Sequence, residues 1–195
     1  MELLSWLPLV FWIFLWTYWF ISAFRAKKSV HMKSFWVWQF GIRLVILALV
    51  LYIFRTGHGG VFTYLFSNQL SALLPASLLV SMLGVILCAA GVSFAVWARV
   101  HLGMNWGMPM SLREKPELVT SGPYQFVRHP IYSGFLIAMF GTALVDGMIW
   151  FLAFIIMGIY FIYSATREEK MMAEQFPDKY PEYKKRTKML VPFVL

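Results

Sequence analysis

Charge is missing from long stretches of this chain, and that absence limits the available folds more than any other feature. Residues 3–24 contain no Asp, Glu, Lys or Arg over 22 positions, and residues 56–98 contain none either. A helix rises about 1.5 Å per residue, so roughly 20 apolar residues cross a hydrocarbon layer of about 30 Å. With 60% hydrophobic and 13% charged residues among 195, too few charges are present to solubilise a water-exposed domain, and lipid is the expected solvent. The expected fold class is all-α, a polytopic integral membrane protein.

Five spans are predicted. The first covers 3–24; with no basic residue before it, it reads as a retained helix rather than a cleaved leader. The second covers 35–54 and is interrupted only by Arg43, a functional candidate because it lies mid-span. A third helix is expected over 70–98, after a loop marked by Gly57, Gly59 and Gly60. Residues 97–130 form a polar connector in which Pro109, Pro116, Pro123 and Pro130 oppose one continuous helix. Spans at 131–145 and 148–163, joined by a tight turn at Asp146-Gly147, make a helical hairpin. The charged tail, 164–195, holds an amphipathic helix over 168–176. The expected division is three N-terminal helices in 1–98 and a catalytic region in 99–195, together one structural unit.

Lysine and arginine place the ends. Four lie between the first two spans, four in the connector and seven in the tail, whereas Arg55 alone falls on the opposite side. The bias predicts an N-terminus outside, with connector and tail in the cytoplasm. The basic residues are dispersed beside spans, so the net charge of +8 points to anionic lipid head groups rather than nucleic acid. Cys88, the only cysteine, excludes an internal disulfide and reads as an inert buried thiol. No His, Cys, Asp or Glu grouping has metal-site spacing.

Ionisable groups are costly near lipid, so their clusters mark where a substrate is handled. The clusters are His101-Leu-Gly-Met-Asn105-Trp106, the run from Leu118 to Tyr132, and Arg167-Glu168-Glu169. The last two flank the hairpin and therefore converge at one end of it. His101 and Asn105 read as connector-stabilising, Tyr180 and Tyr183 as packing that fixes the tail over a pocket, and Lys184, Lys185, Arg186 and Lys188 as a lipid-facing basic patch. Plainer assignments compete: Arg128 and His129 as head-group contacts, Tyr124 and Tyr132 as interfacial aromatics, Glu168 and Glu169 as carboxylates of a first helical turn.

The run GPYQFVRHPIYSG at 122–134, followed after one hairpin by EEKMMAEQFPDKYPEYKKR at 168–186 and a terminal Leu-Val-Pro-Phe, resembles the isoprenylcysteine carboxyl methyltransferase family in its prokaryotic, integral membrane form. The resemblance covers 97–193 and includes HLGMNW. It implies a membrane-embedded methyltransferase that binds S-adenosylmethionine in a cytoplasmic pocket, without a Rossmann domain, and draws a lipophilic methyl acceptor from the bilayer. Carried over by position, it implies cofactor binding by Glu117, Leu118, Val119, Tyr124, His129, Pro130, Ile131, Tyr132 and Glu168. Pro116 stands where the family often has histidine, and Ser164 where the eukaryotic enzymes carry an arginine serving the prenylated substrate. Arg128 and Arg167 are the candidates to replace that arginine, and with Glu169 they make the expected catalytic set.

The chemistry of these residues suits that cofactor. Its sulfonium and ammonium call for an acceptor such as Glu168 and for aromatic faces, and its carboxylate for a cationic partner. Transfer to a carboxylate needs no strong base, only alignment and exclusion of water. Three alternatives stay open: methylation of a phospholipid amine or small thiol, an NADPH-dependent sterol-type reductase, which shares an Arg-His-Pro-x-Tyr segment, and a non-enzymatic scaffold.

Overall fold

The computed structural model describes residues 2–24, 77–107 and 117–191. The second predicted span with Arg43, the glycine-marked loop, and Pro116 lie outside the described residues. Among the described residues the regular structure is helical: α1 (Glu2–Ala23), α2 (Leu78–Leu102), α3 (Pro130–Asp146), α4 (Met148–Gln175) and α5 (Tyr180–Arg186), with 3-10 turns at Gly103–Asn105 and Gly122–Gln125. Helices α1, α2 and α4 are long and apolar enough to cross a membrane, and α3 is apolar but shorter. The chain is an all-α integral membrane protein.

Two boundaries differ from expectation. The third helix starts at Leu78, where Ser77 is extended and its hydroxyl accepts from the Val80 N–H at 3.2 Å, and it runs to Leu102 rather than stopping at 98. The last span and the tail helix expected at 168–176 are one element. At 28 residues, α4 is roughly 42 Å long, more than a hydrocarbon layer of about 30 Å. Arg167 and the glutamates after it continue the helix, because nothing from Gly158 to Phe176 breaks it and charged residues suit a helix that has reached water. The hairpin turn is as expected: Gly147 has φ +88°, a conformation side chains disfavour, and its N–H bonds to the Ala143 carbonyl at 2.9 Å.

Helices α2 and α3 meet backbone to backbone. A Cβ added to Gly91 would lie 2.3 Å from the Ala138 nitrogen, one on Gly141 2.4 Å from the Cys88 nitrogen, and one on Gly134 2.7 Å from the Ala95 nitrogen. In lipid, where apolar association has no aqueous driving force, small residues permit the close packing that holds helices together. Helix α1 joins through two polar contacts. The Trp12 indole donates to the Thr142 hydroxyl at 3.0 Å, and Arg99, buried at the end of α2, donates to the Ser22 carbonyl at 2.8 Å and the Gly103 carbonyl at 2.7 Å. A cation there complements the negative end of α1, and the guanidinium also lies 4.7 Å from the Trp106 ring centre. Cys88 is buried, as expected.

Candidate active site

The end of the bundle formed by the connector, the start of α3 and the later turns of α4 is closed by the tail. Arg128 and His129 donate their backbone N–H groups to the carbonyls of Lys188 (2.8 Å) and Met189 (3.1 Å), Val127 and Lys188 form a β-bridge, and the Ser133 hydroxyl donates to the Leu190 carbonyl. Tyr183, from α5, donates its hydroxyl to the Tyr124 carbonyl at 2.6 Å. Tyr183 thus holds the tail over the site, and Tyr180 is buried beside it, ring centres 6.0 Å apart.

The connector is fixed from the other side. Gly122 has φ +59°, and a Cβ there would fall 2.3 Å from the His101 ring, so neither its backbone nor its surroundings accept a side chain. Asn105 donates to Glu117 at 3.4 Å. His101 and Asn105 therefore do the bracing the sequence suggested.

Two adjacent carboxylates on α4 face different groups. Glu168 accepts from the Tyr132 hydroxyl at 2.5 Å and lies 3.5 Å from His129 Nδ1. Glu169, only 4% exposed, accepts from Arg128 Nε at 2.6 Å and pairs with Lys184 Nζ at 2.6 Å. Arg128 also donates to the carbonyls of Thr187 and Lys184. The expected lipid-facing role of Lys184 is corrected: its ammonium neutralises a buried carboxylate, since an ion removed from water must find a partner.

His129 sits between the two carboxylates. Burial pushes the imidazole toward the neutral form, but contacts from Glu168 and Glu169 outweigh it and lift its pKa above 6.5. Its Nε2 is buried without a hydrogen-bond partner, 3.7 Å from Glu169. The ring stacks on Tyr132 with centres 5.5 Å apart, and Tyr132 stacks on Phe161 at 4.5 Å. Burial holds the Tyr124 phenol well above its ordinary value and pushes Tyr183 up to about 12, so both stay neutral.

A cavity of 1470 Å³ opens among these groups. Glu117, Leu118, Val119, Tyr124, His129, Ile131, Tyr132 and Glu168 line it, as does Arg128. Three expected site residues stand apart. Pro130 is buried as the first residue of α3, where its fixed φ and missing N–H suit a helix start; Glu169 turns into the ion cluster; Arg167 is exposed on α4, outside the lining. The cavity also takes in Trp106, from the HLGMNW cluster, and Trp12, Trp16, Phe135 and Trp150, which sequence reasoning missed. Their signal, tryptophans three or four apart on α1, looks the same as a lipid-facing stripe.

The chain matches the model of the family described as phospholipid methyltransferase over residues 79–179. It is 37% identical over 79 residues to methanethiol S-methyltransferase 1 of Bradyrhizobium diazoefficiens, covering 40% of this chain and 27% of that protein. It is 40% identical over 83 residues to protein-S-isoprenylcysteine O-methyltransferase B of Arabidopsis thaliana, covering 42% of each chain. A longer alignment, 157 residues at 28% identity, relates 79% of this chain to 64% of the nickel-cobalt-cadmium resistance protein NccN of Alcaligenes xylosoxydans xylosoxydans. The chain thus spans less than two-thirds of the length of each.

Proposed function

The chain belongs to the phospholipid methyltransferase family, and from that premise we propose that it transfers the methyl group of S-adenosylmethionine to an amphiphilic acceptor, with a prenylcysteine-like carboxylate as the favoured nucleophile. The observation that carries this reading is the Glu168–Tyr132–His129 cluster, which lines the same cavity as the apolar faces of α1, α3 and α4.

The residues present fit the cofactor. The Glu117 and Glu168 carboxylates suit its ammonium and hydroxyls, the Tyr124 and Tyr132 rings suit a sulfonium, and His129 lines the same cavity beside them. When bound, S-adenosylmethionine supplies an electrophilic methyl carbon. An acceptor oxygen would take that methyl group, with the electrons of the carbon–sulfur bond left on sulfur and S-adenosylhomocysteine as the leaving group. An ionised carboxylate needs no base, so the protein's part is placement and dryness. Tyr132 and His129 fix the Glu168 carboxylate; the tail, tied down at Arg128, His129 and Ser133, excludes water. Arg128 has its guanidinium committed to Glu169 and two tail carbonyls, so its role is to position the tail.

The relatives divide over the acceptor: one is named for methanethiol and one for isoprenylcysteine. A cavity of 1470 Å³ exceeds the roughly 300–1,000 Å³ of a single small-molecule site and favours a lipid-like acceptor over a small thiol. The N-terminus-outside orientation, with the site in the cytoplasm, belongs to the same proposal and rests on the lysine and arginine bias. The test is incubation of the reconstituted protein with methyl-labelled S-adenosylmethionine and a membrane lipid extract spiked with N-acetyl-S-farnesylcysteine. Label in the organic phase, abolished by S-adenosylhomocysteine, is the expected result; label in none of the lipophilic fractions overturns the reading.

A further inference from the structure

The end of α1 and the turn that follows α2 are joined by a closed circuit of contacts. Arg99, 3% exposed in the last turn of α2, donates to the Ser22 carbonyl at 2.8 Å and to the Gly103 carbonyl at 2.7 Å. The Ser22 carbonyl is one of the four that the end of a helix leaves without an internal partner, and the Ser22 hydroxyl donates back to the Trp19 carbonyl at 3.1 Å. The Trp19 ring meets the Trp106 ring edge-on, with centres 6.3 Å apart at 88°, and Trp106 returns to the Arg99 guanidinium at 4.7 Å. Gly103 makes the return possible. Its φ of +55° turns the chain after Leu102, and its carbonyl accepts from the Trp106 N–H at 3.4 Å as well as from Arg99.

Trp19 and Trp106 both line the cavity, whereas Arg99 stays out of its lining. We infer that Arg99 is a positioning residue for methyl transfer: it holds Trp106 and the end of α1 in one arrangement, in which acceptor and cofactor meet aligned. The inference rests on the reading proposed above. Charge decides which partner Trp106 serves. An indole face attracts cations, but with a guanidinium already on it, like-charge repulsion makes the same ring a poor host for a sulfonium, so Trp106 serves the acceptor. Arginine suits the post because a guanidinium bonds in its plane and stacks with its face, two things an ammonium cannot do together. The Trp19 ring carries the arrangement further, meeting Phe135 of α3 edge-on with centres 5.4 Å apart.

The test uses the full chain in nanodiscs with labelled S-adenosylmethionine and N-acetyl-S-farnesylcysteine. Arg99→Lys and Trp106→Ala are each expected to lower kcat/KM for the acceptor about thirtyfold or more, the cost of a small misalignment. S-adenosylhomocysteine affinity, read by calorimetry, is expected to stay within about twofold. Trp106→Phe should recover part of the loss, and the double variant should be no worse than Arg99→Lys alone, because both changes break one circuit. Losses that multiply in the double variant, or an unchanged kcat/KM in Trp106→Ala, overturn the inference; so does a loss of cofactor affinity in Arg99→Lys equal to its loss of kcat/KM, the mark of a purely structural role. A readout on the wild type needs no folded variant at Arg99. With 5-fluorotryptophan incorporated, the resonance missing from Trp106→Phe is expected to shift when N-acetyl-S-farnesylcysteine is added over saturating S-adenosylhomocysteine, and a resonance that does not move overturns the inference. Wild-type protein that binds no S-adenosylhomocysteine sinks the reading beneath it instead.

Discussion

The phenol of Tyr132 donates to the carboxylate of Glu168 across 2.5 Å, linking the first turn of α3 to the aqueous end of α4. Tyr132→Phe removes that bond and keeps the ring stack on Phe161. A hydrogen bond to a charged group is worth about 1.5–3 kcal/mol, and its loss removes one of the contacts that orient Glu168, His129 remaining 3.5 Å away. S-adenosylhomocysteine affinity is expected to fall about tenfold or more, read by calorimetry, with a lowered melting temperature but a retained fold. Unchanged affinity would remove Glu168 from the proposed cofactor set.

Arg128 and Glu169 are 8% and 4% exposed, so their pair is a buried one. Removing Arg128 takes away the buried cation on Glu169, leaving the half-exposed Lys184 to balance it, and breaks the bonds to two tail carbonyls, a loss of up to about 3–5 kcal/mol. Arg128→Ala is therefore expected to release the tail, lowering the melting temperature and exposing residues beyond Gln175 to protease. Arg128→Lys should restore little, because an ammonium lacks the fork that reaches Glu169 and the tail carbonyls together. Lys184, 54% exposed, contributes about 1 kcal/mol or less, and Lys184→Ala should be mild. Equal losses at Arg128 and Lys184 would contradict this ranking.

The seam between α2 and α3 has no room for a methyl group. Gly91→Ala places a carbon 2.3 Å from the Ala138 nitrogen, where only backbone can yield, and overpacking of this kind costs about 1–3 kcal/mol. Gly158→Ala on α4 meets its nearest neighbour at 3.8 Å and should be neutral or slightly stabilising, since alanine is the better helix former. Thermal unfolding in detergent compares the two. Similar melting temperatures would mean the helices are farther apart than described.

His129 carries the pH dependence. Its folded pKa lies above 6.5, so its stabilisation is fully present below 6.5 and is lost as pH rises through the folded value. The groups facing it are Glu168, Glu169 and Tyr132, with Arg128 and Lys184 bound to Glu169. Stability and cofactor affinity are expected to decline as pH rises above 6.5 through the raised folded value, and His129→Gln should flatten that slope. A wild-type profile that rises with pH would show that burial, not the carboxylates, controls the imidazole.

Much of this arrangement was legible in the sequence because lipid leaves few choices. The charge-free run of α1, the Asp146-Gly147 turn and the convergence of the 118–132 run with Glu168 follow from where polar residues can stand; the particular set Glu117–Val119, Tyr124, His129, Tyr132 and Glu168 was implied by the family resemblance alone. The resemblance assigned Glu168 to the cofactor and Glu169 to catalysis, but that Glu169 turns into an ion cluster was not legible, because neighbours on a helix point about 100° from each other and only the packing decides which faces a cavity. Arg167 was misplaced for the same reason. The start of α2 carried a readable signal, the Ser77 cap, which the uncharged run around it concealed. Trp12 gave only the stripe it shares with lipid-facing tryptophans, because its hydrogen-bond partner Thr142 lies 130 positions away.

The most direct measurement is a calorimetric titration of the purified protein with S-adenosylhomocysteine and, separately, with NADPH. Saturable binding of one S-adenosylhomocysteine per chain, lost in Glu168→Ala, with no heat from NADPH is the outcome the site predicts. Saturable NADPH binding with silence toward S-adenosylhomocysteine would contradict it.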